Sequence, residues 1–546
     1  MAVAGLEFCF ASASNPRRAV RWTLVASITV SLPRRRRLAV IRRSSWNASA
    51  EALWSDSSSE TTARSASDET ISVLLKCLRA NVDLPLPAAP IKSTRLPSGI
   101  LNNTFAVYWF GVNPSSKTAW YAAVVLMLCY ALSYVDRQIL SLLVPFIKAD
   151  LKINDTLVGL LQGFSFALFY AALGLPLGRV ADSTNRRNLI SICIAFWSVF
   201  TSGCALARSY TTLFLARMGV GIGEAGLNPA SFSILSDLFP KERLGAALSV
   251  FYIGQLLGSS LALIVGGTAV QAVTRRPEIT LPILGTLASW RVTFVILGLP
   301  GLLFALLVYT VKEPIRKNLA RTAAGVTKLS IEDTFAEIRS RWQSVVGISV
   351  GFVFQAACNY AFTAWVPTYF LRAHGWNIGE TGRALGFLIL PFGGLGLYLG
   401  GWLSERWQKR GMIDAPLLVA IPCAIGILLF LVPAMLMPSA AWSLALIGPG
   451  FFFLVLPMGT AGAALQLIFP NQVRAQVSAL YLFILNLGGL TLGPLMPGVF
   501  ADYLFKDPKM IGAGLSLTMA VSGVLMLVII LATRRPYRQH YQQMNP

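Results

Sequence analysis

Four charged residues lie in stretches of the chain that are otherwise apolar enough to cross a lipid bilayer: Asp136, Arg137, Arg217 and Glu224. An ionised side chain at the centre of a membrane helix costs about 2.5–3.5 kcal/mol on insertion scales. Such groups normally face a bundle interior or a water-filled cavity and pair with one another. Two acidic and two basic residues therefore indicate a transport pathway, with a purely structural role in joining helices as the alternative.

The spacing of these residues adds to that interpretation. Arg217, Gly221 and Glu224 are four and three residues apart, so they share one face of a helix. Burial favours the neutral form of a carboxylate, whereas a nearby arginine favours its charged form. We therefore expect Glu224 or Asp136 to carry a proton. Arg137 and Arg217 would alternate between pairing with that carboxylate and binding an anion.

The composition indicates a membrane protein. Of its 546 residues, 55% are hydrophobic and 13% are charged, whereas ordinary soluble domains carry about 25% charged residues. The 46 basic and 24 acidic residues give a net charge of +22, which in a soluble protein would indicate nucleic-acid binding. Here the basic residues lie mainly between apolar runs, so they set orientation in the bilayer, and no nucleic-acid partner is expected.

Cysteine and histidine usage argues against a metal site, a cofactor and an enzyme. The seven cysteines form no C-x-x-C pair, and five of them lie in apolar runs. The two histidines, His374 and His540, lie outside the predicted spans. A lipid-modifying membrane enzyme would need a convergent catalytic set, and a primary pump would need a G-x-x-x-x-G-K-[ST] loop. Neither pattern is present in the sequence.

From Trp120 onward, apolar runs near the 20 residues that a spanning helix needs follow one another. We predict twelve spans, at about 119–147, 157–178, 188–207, 211–234, 244–270, 290–311, 344–371, 382–403, 415–435, 440–468, 474–500 and 510–532. The longest polar gap separates the sixth span from the seventh, so the predicted fold is all-α, with two halves of six helices. The predicted segments are a first half at 117–311, a linker at 312–343, a second half at 344–535 and a tail at 536–546.

Residues 1–116 differ from the rest of the chain. They contain Arg34-Arg35-Arg36-Arg37, Ser57-Ser58-Ser59 and no apolar run of spanning length. The Arg- and Ser-rich beginning is similar to a transit peptide, but acidic residues from Glu51 onward dilute that pattern. We predict a disordered cytoplasmic extension, or a start codon assigned too far upstream.

The loops between the spans predict the orientation. Basic residues concentrate on one side of the predicted bundle: Arg179, Arg186, Arg187, Lys241, Arg243, Lys312, Arg316, Lys317, Arg321, Lys328, Arg406, Lys409, Arg410, Arg474, Arg534 and Arg535. An excess of Lys and Arg marks the cytoplasmic side. Both termini and the linker are therefore predicted to be cytoplasmic. The expected location is the bacterial inner membrane.

A repeated loop supports the division into two similar halves. Gly178 and Asp182 precede Arg186-Arg187 after the second span, and Gly401 and Glu405 precede Lys409-Arg410 after the eighth. A carboxylate near a helix end can bridge to a neighbouring helix in one conformation and release it in another. We therefore predict a cytoplasmic gate. Its residues are Gly178, Asp182, Arg186, Arg187, Glu405 and Arg410.

Residues 178–187 resemble the loop signature G-x-L-A-D-R-x-G-R-R of the major facilitator superfamily, with Val180, Ser183 and Asn185 as departures. The spinster-like branch of that superfamily is a closer match. Tyr134-Val135-Asp136-Arg137 resembles its N-Y-x-D-R motif, with Ser133 in place of asparagine. Its fourth helix resembles Arg217, Gly221-Ile222-Gly223-Glu224-Ala225 and Pro229. The likeness covers about residues 117–535 and is strongest from 130 to 260.

This resemblance implies the major facilitator fold and a secondary transporter. In the family, the counterparts of Asp136, Arg137, Arg217 and Glu224 are linked to proton coupling and to contact with the substrate headgroup. The implied mechanism is rocking of the two halves around a substrate site near the midplane. Protons are the expected coupling ion, and a small molecule is the expected substrate.

The second half indicates the chemical class of the substrate, because its polar groups at mid-span are mostly uncharged. A cavity that is polar on one wall and apolar on the other suits an amphiphile, and the spinster-like branch is associated with sphingoid phosphates and lysophospholipids. A sugar acid or another small organic anion is the alternative, as is a transporter-like receptor that binds without moving solute. The candidate cavity-lining residues are Gln162, Asn228, Asn359, Tyr360 and Trp365.

Overall fold

The computed structural model describes residues 116–282, 285–316, 331–470 and 473–544, with two short segments at 5–6 and 26–27. The chain divides into two compact units, Met1–Asn103 and Thr104–Pro546. In the first, Gly5–Leu6 pairs antiparallel with Ala26–Ser27. The rest of the N-terminal extension, for which we predicted disorder, lies outside the described residues. The second unit contains the helix bundle.

The first half of the bundle contains six long helices, α1 to α6. They comprise α1 at Ser116–Leu151, α2 at Asp155–Gln162 and Phe164–Ser183, α3 at Arg186–Gly203 with a 3-10 turn at Cys204–Leu206, α4 at Tyr210–Glu224 and Leu227–Leu238, α5 at Lys241–Leu261, Ala262–Gly266 and Gly267–Val273, and α6 at Ser289–Val308. A β-hairpin, Glu278–Leu281 with Gly285–Ala288, connects α5 to α6.

The second half follows a short helix, Ile331–Ser340. Its helices comprise α7 at Trp342–Ala373, α8 at Ile378–Lys409, α9 at Ala415–Leu418, Ala420–Gly426, Ile427–Leu431 and Val432–Ala434, α10 at Ala440–Val455 and Thr460–Leu467, α11 at Arg474–Val499 and Phe500–Phe505, and α12 at Ile511–Met544 after a 3-10 turn at Pro508–Met510.

The predicted all-α membrane architecture is confirmed. Within the described residues, eleven helices are long and apolar enough to cross a membrane. The remaining predicted span, 211–234, is α4, which is interrupted and consists of segments of 15 and 12 residues. Pro229 has no backbone N–H to donate to the carbonyl of Ala225, so the helical hydrogen bonding is broken at that point.

Glycines allow the helices that carry the candidate site to pack closely. A Cβ atom on Gly258 of α5 would overlap the carbonyl oxygen of Ala131 on α1, and one on Gly254 would overlap that of Met127. This small-residue contact, which membrane helices commonly use, fixes α1 against α5.

The bundle has two ends that we name by their residues. The linker end holds Arg186, Glu313 and Asp414, and the distal end holds Asp155 and Arg372. At the distal end the two halves are joined, because Arg372 of α7 donates to both carboxylate oxygens of Asp155 on α2, at 2.8 and 2.9 Å.

The last helix extends beyond the predicted span and into the predicted tail at 536–546. Arg534 and Arg538 both donate to Asp414, at 2.7 and 3.0 Å. The buried Tyr537 donates to the carbonyl of Ala464 at 3.1 Å. Burial raises the pKa of the Asp414 carboxyl, but the hydrogen bonds from Arg538 and Arg534 outweigh burial, so its pKa lies below the ordinary value. These contacts hold the last turns of α12 against the linker end.

Candidate functional site

An ion pair between α1 and α4 lies at the centre of the first half. Arg137 donates to the Oε2 atom of Glu224 through Nε at 2.8 Å and through Nη2 at 2.6 Å. The side chain of Glu224 is 0% exposed and that of Arg137 is 13% exposed. The pair is therefore formed by charged groups that are largely removed from solvent, where removing one partner is costly.

The other two predicted charges lie beside this pair. Asp136 interacts electrostatically with both Glu224 and Arg217, and its Oδ2 accepts a hydrogen bond from Thr201 at 3.4 Å. Asp136 and Arg217 are 2% and 1% exposed. Among the described residues, no hydrogen-bond partner faces Asp136 Oδ1, Glu224 Oε1, or the Nε and Nη1 atoms of Arg217. The structure thus brings all four charges together but pairs only two of them.

Three aromatic rings surround the Arg137 guanidinium. Its central carbon lies 4.3 Å from the ring centroid of Phe166, 4.8 Å from that of Tyr170 and 5.0 Å from that of Tyr134. We call these three rings the aromatic box. Phe166 and Tyr170 belong to α2, and neither was predicted from the sequence, since aromatic residues are common in membrane helices and carry no signal of their own.

A cavity that is partly open to the exterior lies between the two halves, next to these charges. Arg137, Arg217 and Gln162 line it from the first half. Asn359 and Tyr360 of α7 line it from the second half. The remaining wall is mainly apolar and includes Ile389, Leu397, Phe451, Val455, Met458 and Leu490. The cavity therefore has a charged side and an apolar side.

Two predicted cavity residues lie elsewhere. Trp365 is fully buried in the second half, where its Nε1 donates to the carbonyl of Pro494 at 2.7 Å. Its indole N–H needs a partner in an apolar interior, and a backbone carbonyl supplies it. Asn228 donates to the Tyr170 hydroxyl at 3.1 Å and so supports the aromatic box instead of lining the cavity.

At the linker end, Arg186 makes contacts with the first half and with the start of the linker. It donates to Asp237, and its Nε donates to Glu313 at 2.7 Å. Glu313 also accepts from the backbone N–H of Arg187 at 2.9 Å. Asp182 is exposed and forms no ion pair within the part of the chain that the structure describes. Asp237 and Glu313 were not predicted as partners of Arg186, because charged residues are common near the ends of membrane spans.

The counterpart loop of the second half is also exposed. Glu405 pairs with Lys409 one helical turn further on, at 2.5 Å, and Arg410 is exposed at the end of α8. A Cβ atom on Gly178 would lie in ordinary van der Waals contact with Pro229 of α4. The predicted gate residues are thus spread over both loops, and among the described residues they form no ion pair between the halves in this conformation.

Polar contacts join the halves at the distal end, which sequence reasoning did not predict, and also beside the cavity, where Gln138 of α1 donates to the carbonyl of Thr363 on α7 at 2.9 Å. Asp155 forms ion pairs with Arg372 and also with Lys148, the latter at 2.8 Å. Asp502 of α11 accepts from the backbone N–H and the hydroxyl of Thr156, at 2.6 and 2.7 Å. Because Asp502 lies at the N-terminus of α2, the helix dipole favours its negative charge there.

The sequence model of the Major Facilitator Superfamily matches residues 126–494. The chain belongs to this superfamily. It is 30% identical to an MFS-type efflux pump of Mycolicibacterium smegmatis, over 75% of this chain and 91% of that protein. It is 25% identical to the hexuronate transporter of Bacillus subtilis, over 72% of this chain and 90% of that protein.

A solved structure confirms the spinster-like resemblance. The chain is similar to a bacterial homolog of the human lysosomal transporter Spinster, crystallised in an inward-facing and unoccupied conformation. The two share 25% sequence identity with a TM-score of 0.61, and the match covers 78% of this chain and 98% of that one.

Proposed function

We propose that this protein is a secondary active transporter that couples proton movement to the transport of a small organic anion or amphiphile. The observation that carries the proposal is the Arg137–Glu224 pair, in which Arg137 lines the cavity and Glu224 is buried behind it. Burying a charge pair with unpaired charges beside it lowers the stability of the fold. Stability alone therefore does not explain why these charges are present. In a membrane bundle such groups mark substrate and proton pathways.

The proposed coupling uses the exchange of partners around Glu224. When Glu224 takes up a proton, it no longer holds Arg137 by charge. Arg137 and the unpaired edge of Arg217 then present donors to an anionic substrate in the cavity. Deprotonation of Glu224 restores the pair and releases the substrate. Asp136 is a second candidate for the proton carrier, since it is buried and lies within electrostatic range of both Arg217 and Glu224.

The shape of the cavity supports an amphiphilic or anionic solute. Two arginines can bind a carboxylate or phosphate group, and the wall formed by residues such as Leu397 and Phe451 can accept an apolar tail. A sugar acid is the second candidate, because the chain is similar to a hexuronate transporter. A sugar acid would leave the apolar wall without a partner.

We further propose how the protein is oriented in the membrane and which contacts open and close its two ends. The linker end faces the cytoplasm, because it carries the excess of basic residues, and the protein lies in the bacterial inner membrane. This conformation is then inward-facing, as in the similar Spinster homolog. In the opposite conformation the distal contacts break, and the loops of Asp182 and Glu405 close the linker end.

The test is uptake into liposomes that contain the purified protein, with and without an inward proton gradient. The panel comprises lysophospholipids, sphingoid phosphates and sugar acids. We expect accumulation of one class of anion that increases with the gradient. Saturable binding without accumulation would instead identify a receptor and would contradict the proposal.

A further inference from the structure

The aromatic box of Tyr134, Phe166 and Tyr170 gives the Arg137 guanidinium a second stabilising environment beside Glu224. We propose that these rings are positioning residues that hold the Arg137 charge while Glu224 is protonated, and thereby make the ion pair exchangeable. This inference deepens the proposed function and rests on it. It assigns a role in coupling to three side chains that form no ion pair.

The physical basis is the difference between a free cation and a paired one. The negative face of an aromatic ring attracts a cation, and the attraction grows when water is excluded. A carboxylate next to the guanidinium reduces this attraction, because the ring face repels the negative charge of the carboxylate. The box therefore stabilises free Arg137 more than Arg137 in its pair. Without it, protonation of Glu224 would leave a largely buried cation with less compensation.

Local packing fixes the box in place. Gly221, which lies between Arg217 and Glu224 on α4, lets the carbonyl oxygen of Phe166 approach to a position 2.5 Å from where a Cβ would be. Phe166 stacks on Tyr170 with ring centroids 5.0 Å apart, and Asn228 donates to the Tyr170 hydroxyl. These contacts hold the two α2 rings independently of the Arg137–Glu224 pair, and Tyr134 packs edge-on against Tyr130.

Phe166 also faces the second arginine, whose guanidinium carbon lies 5.9 Å from its ring centroid. Phe166 is 1% exposed, so its ring contacts both cations out of reach of bulk solvent. The titratable and charged groups that face Glu224 and its partner come from four helices: Tyr134, Asp136 and Arg137 on α1, Tyr170 on α2, Arg217 on α4, and Tyr360 on α7. Of these, only Arg137 is enclosed by the box.

The test replaces Phe166 with mono-, di- and trifluorophenylalanine, which weakens the ring quadrupole in steps with little change in shape. The readout is the infrared signal of the protonated Glu224 carboxyl in purified protein, assigned by its loss in Glu224→Gln. We expect the midpoint of this titration to move to lower pH with each fluorine, by about half a pH unit in total, or about threefold in proton affinity. This readout requires no substrate and no flux.

The same substitutions at Phe294 serve as the control, because that ring is fully buried in the first half, packs on Trp290 and makes no cation–π contact with Arg137 or Arg217. A midpoint that does not change along the Phe166 series, or a Glu224 carboxyl that does not titrate, would overturn the inference. Phe166→Trp should keep the wild-type midpoint and Phe166→Leu should lower it. A failure of the transport function would appear separately, as absent uptake with an intact fluorine dependence.

Discussion

At the scale of single residues, the site contains more charge than its hydrogen bonds neutralise. Two nitrogens of Arg137 donate to one oxygen of Glu224, whereas Arg217 is buried with two guanidinium nitrogens that face no partner among the described residues. A buried charge without a partner destabilises a fold. Its presence on a cavity wall is consistent with a ligand-binding role, in which a substrate anion supplies the missing acceptor.

This reasoning predicts the effect of Arg217→Gln. We expect affinity for the transported anion to fall by about tenfold or more, because a charge-assisted hydrogen bond is lost. The midpoint of thermal unfolding should stay unchanged or rise, since an unpaired buried charge is removed. Substrate protection assays and thermal unfolding in detergent measure the two effects. A large drop in thermal stability with unchanged affinity would show that Arg217 is structural.

At the scale of helices, the distal contacts hold α2 against α7 and α11. Asp155 is bound by Arg372 across the halves, and Asp502 caps the first turn of α2 through Thr156. Glycines bring the backbones together beside these contacts, because a Cβ atom on Gly159 would overlap the carbonyl oxygen of Pro494 on α11. The distal end is thus closed by polar contacts on tightly packed helices.

Breaking this closure should shift the conformational equilibrium. We expect Arg372→Ala to favour the state with an open distal end by about tenfold or more, because Asp155 loses its cross-half partner. Labelling of a cysteine introduced at Thr363 by an impermeant reagent added from the distal side reports the shift. Arg291→Ala is the matched control, because it removes a distal ion pair, to Asp150, that lies within the first half. Equal labelling in both variants would contradict a locking role for Arg372.

The helices and the four central charges could be predicted from the sequence, because charged residues in long apolar runs are rare and visible. The distal pair was not predictable in the same way. Asp155 and Arg372 lie at the ends of spans, where charges are ordinary, and they are more than two hundred positions apart in the sequence. Trp365 was predicted to line the cavity because of its residue type, whereas packing in the second half buries it completely.

At the scale of the whole molecule, the two halves are joined at the distal end and the cavity lies between them, beside the charges of the first half. The first half thus supplies the titratable groups, and the second half supplies mainly the apolar wall. In a carrier of two rocking halves, this asymmetry places proton exchange and substrate binding at a single position. Movement of one half against the other then changes both together.

The central claim is that Glu224 couples proton movement to transport, and Glu224→Gln in liposomes tests it most directly. Glutamine keeps the shape of the side chain but removes the titratable charge. We predict that the variant loses gradient-driven accumulation of the transported anion while it retains exchange of labelled for unlabelled substrate. Glu278→Gln, an exposed carboxylate of the distal hairpin, should behave as wild type. Undiminished gradient-driven accumulation by Glu224→Gln would contradict the claim.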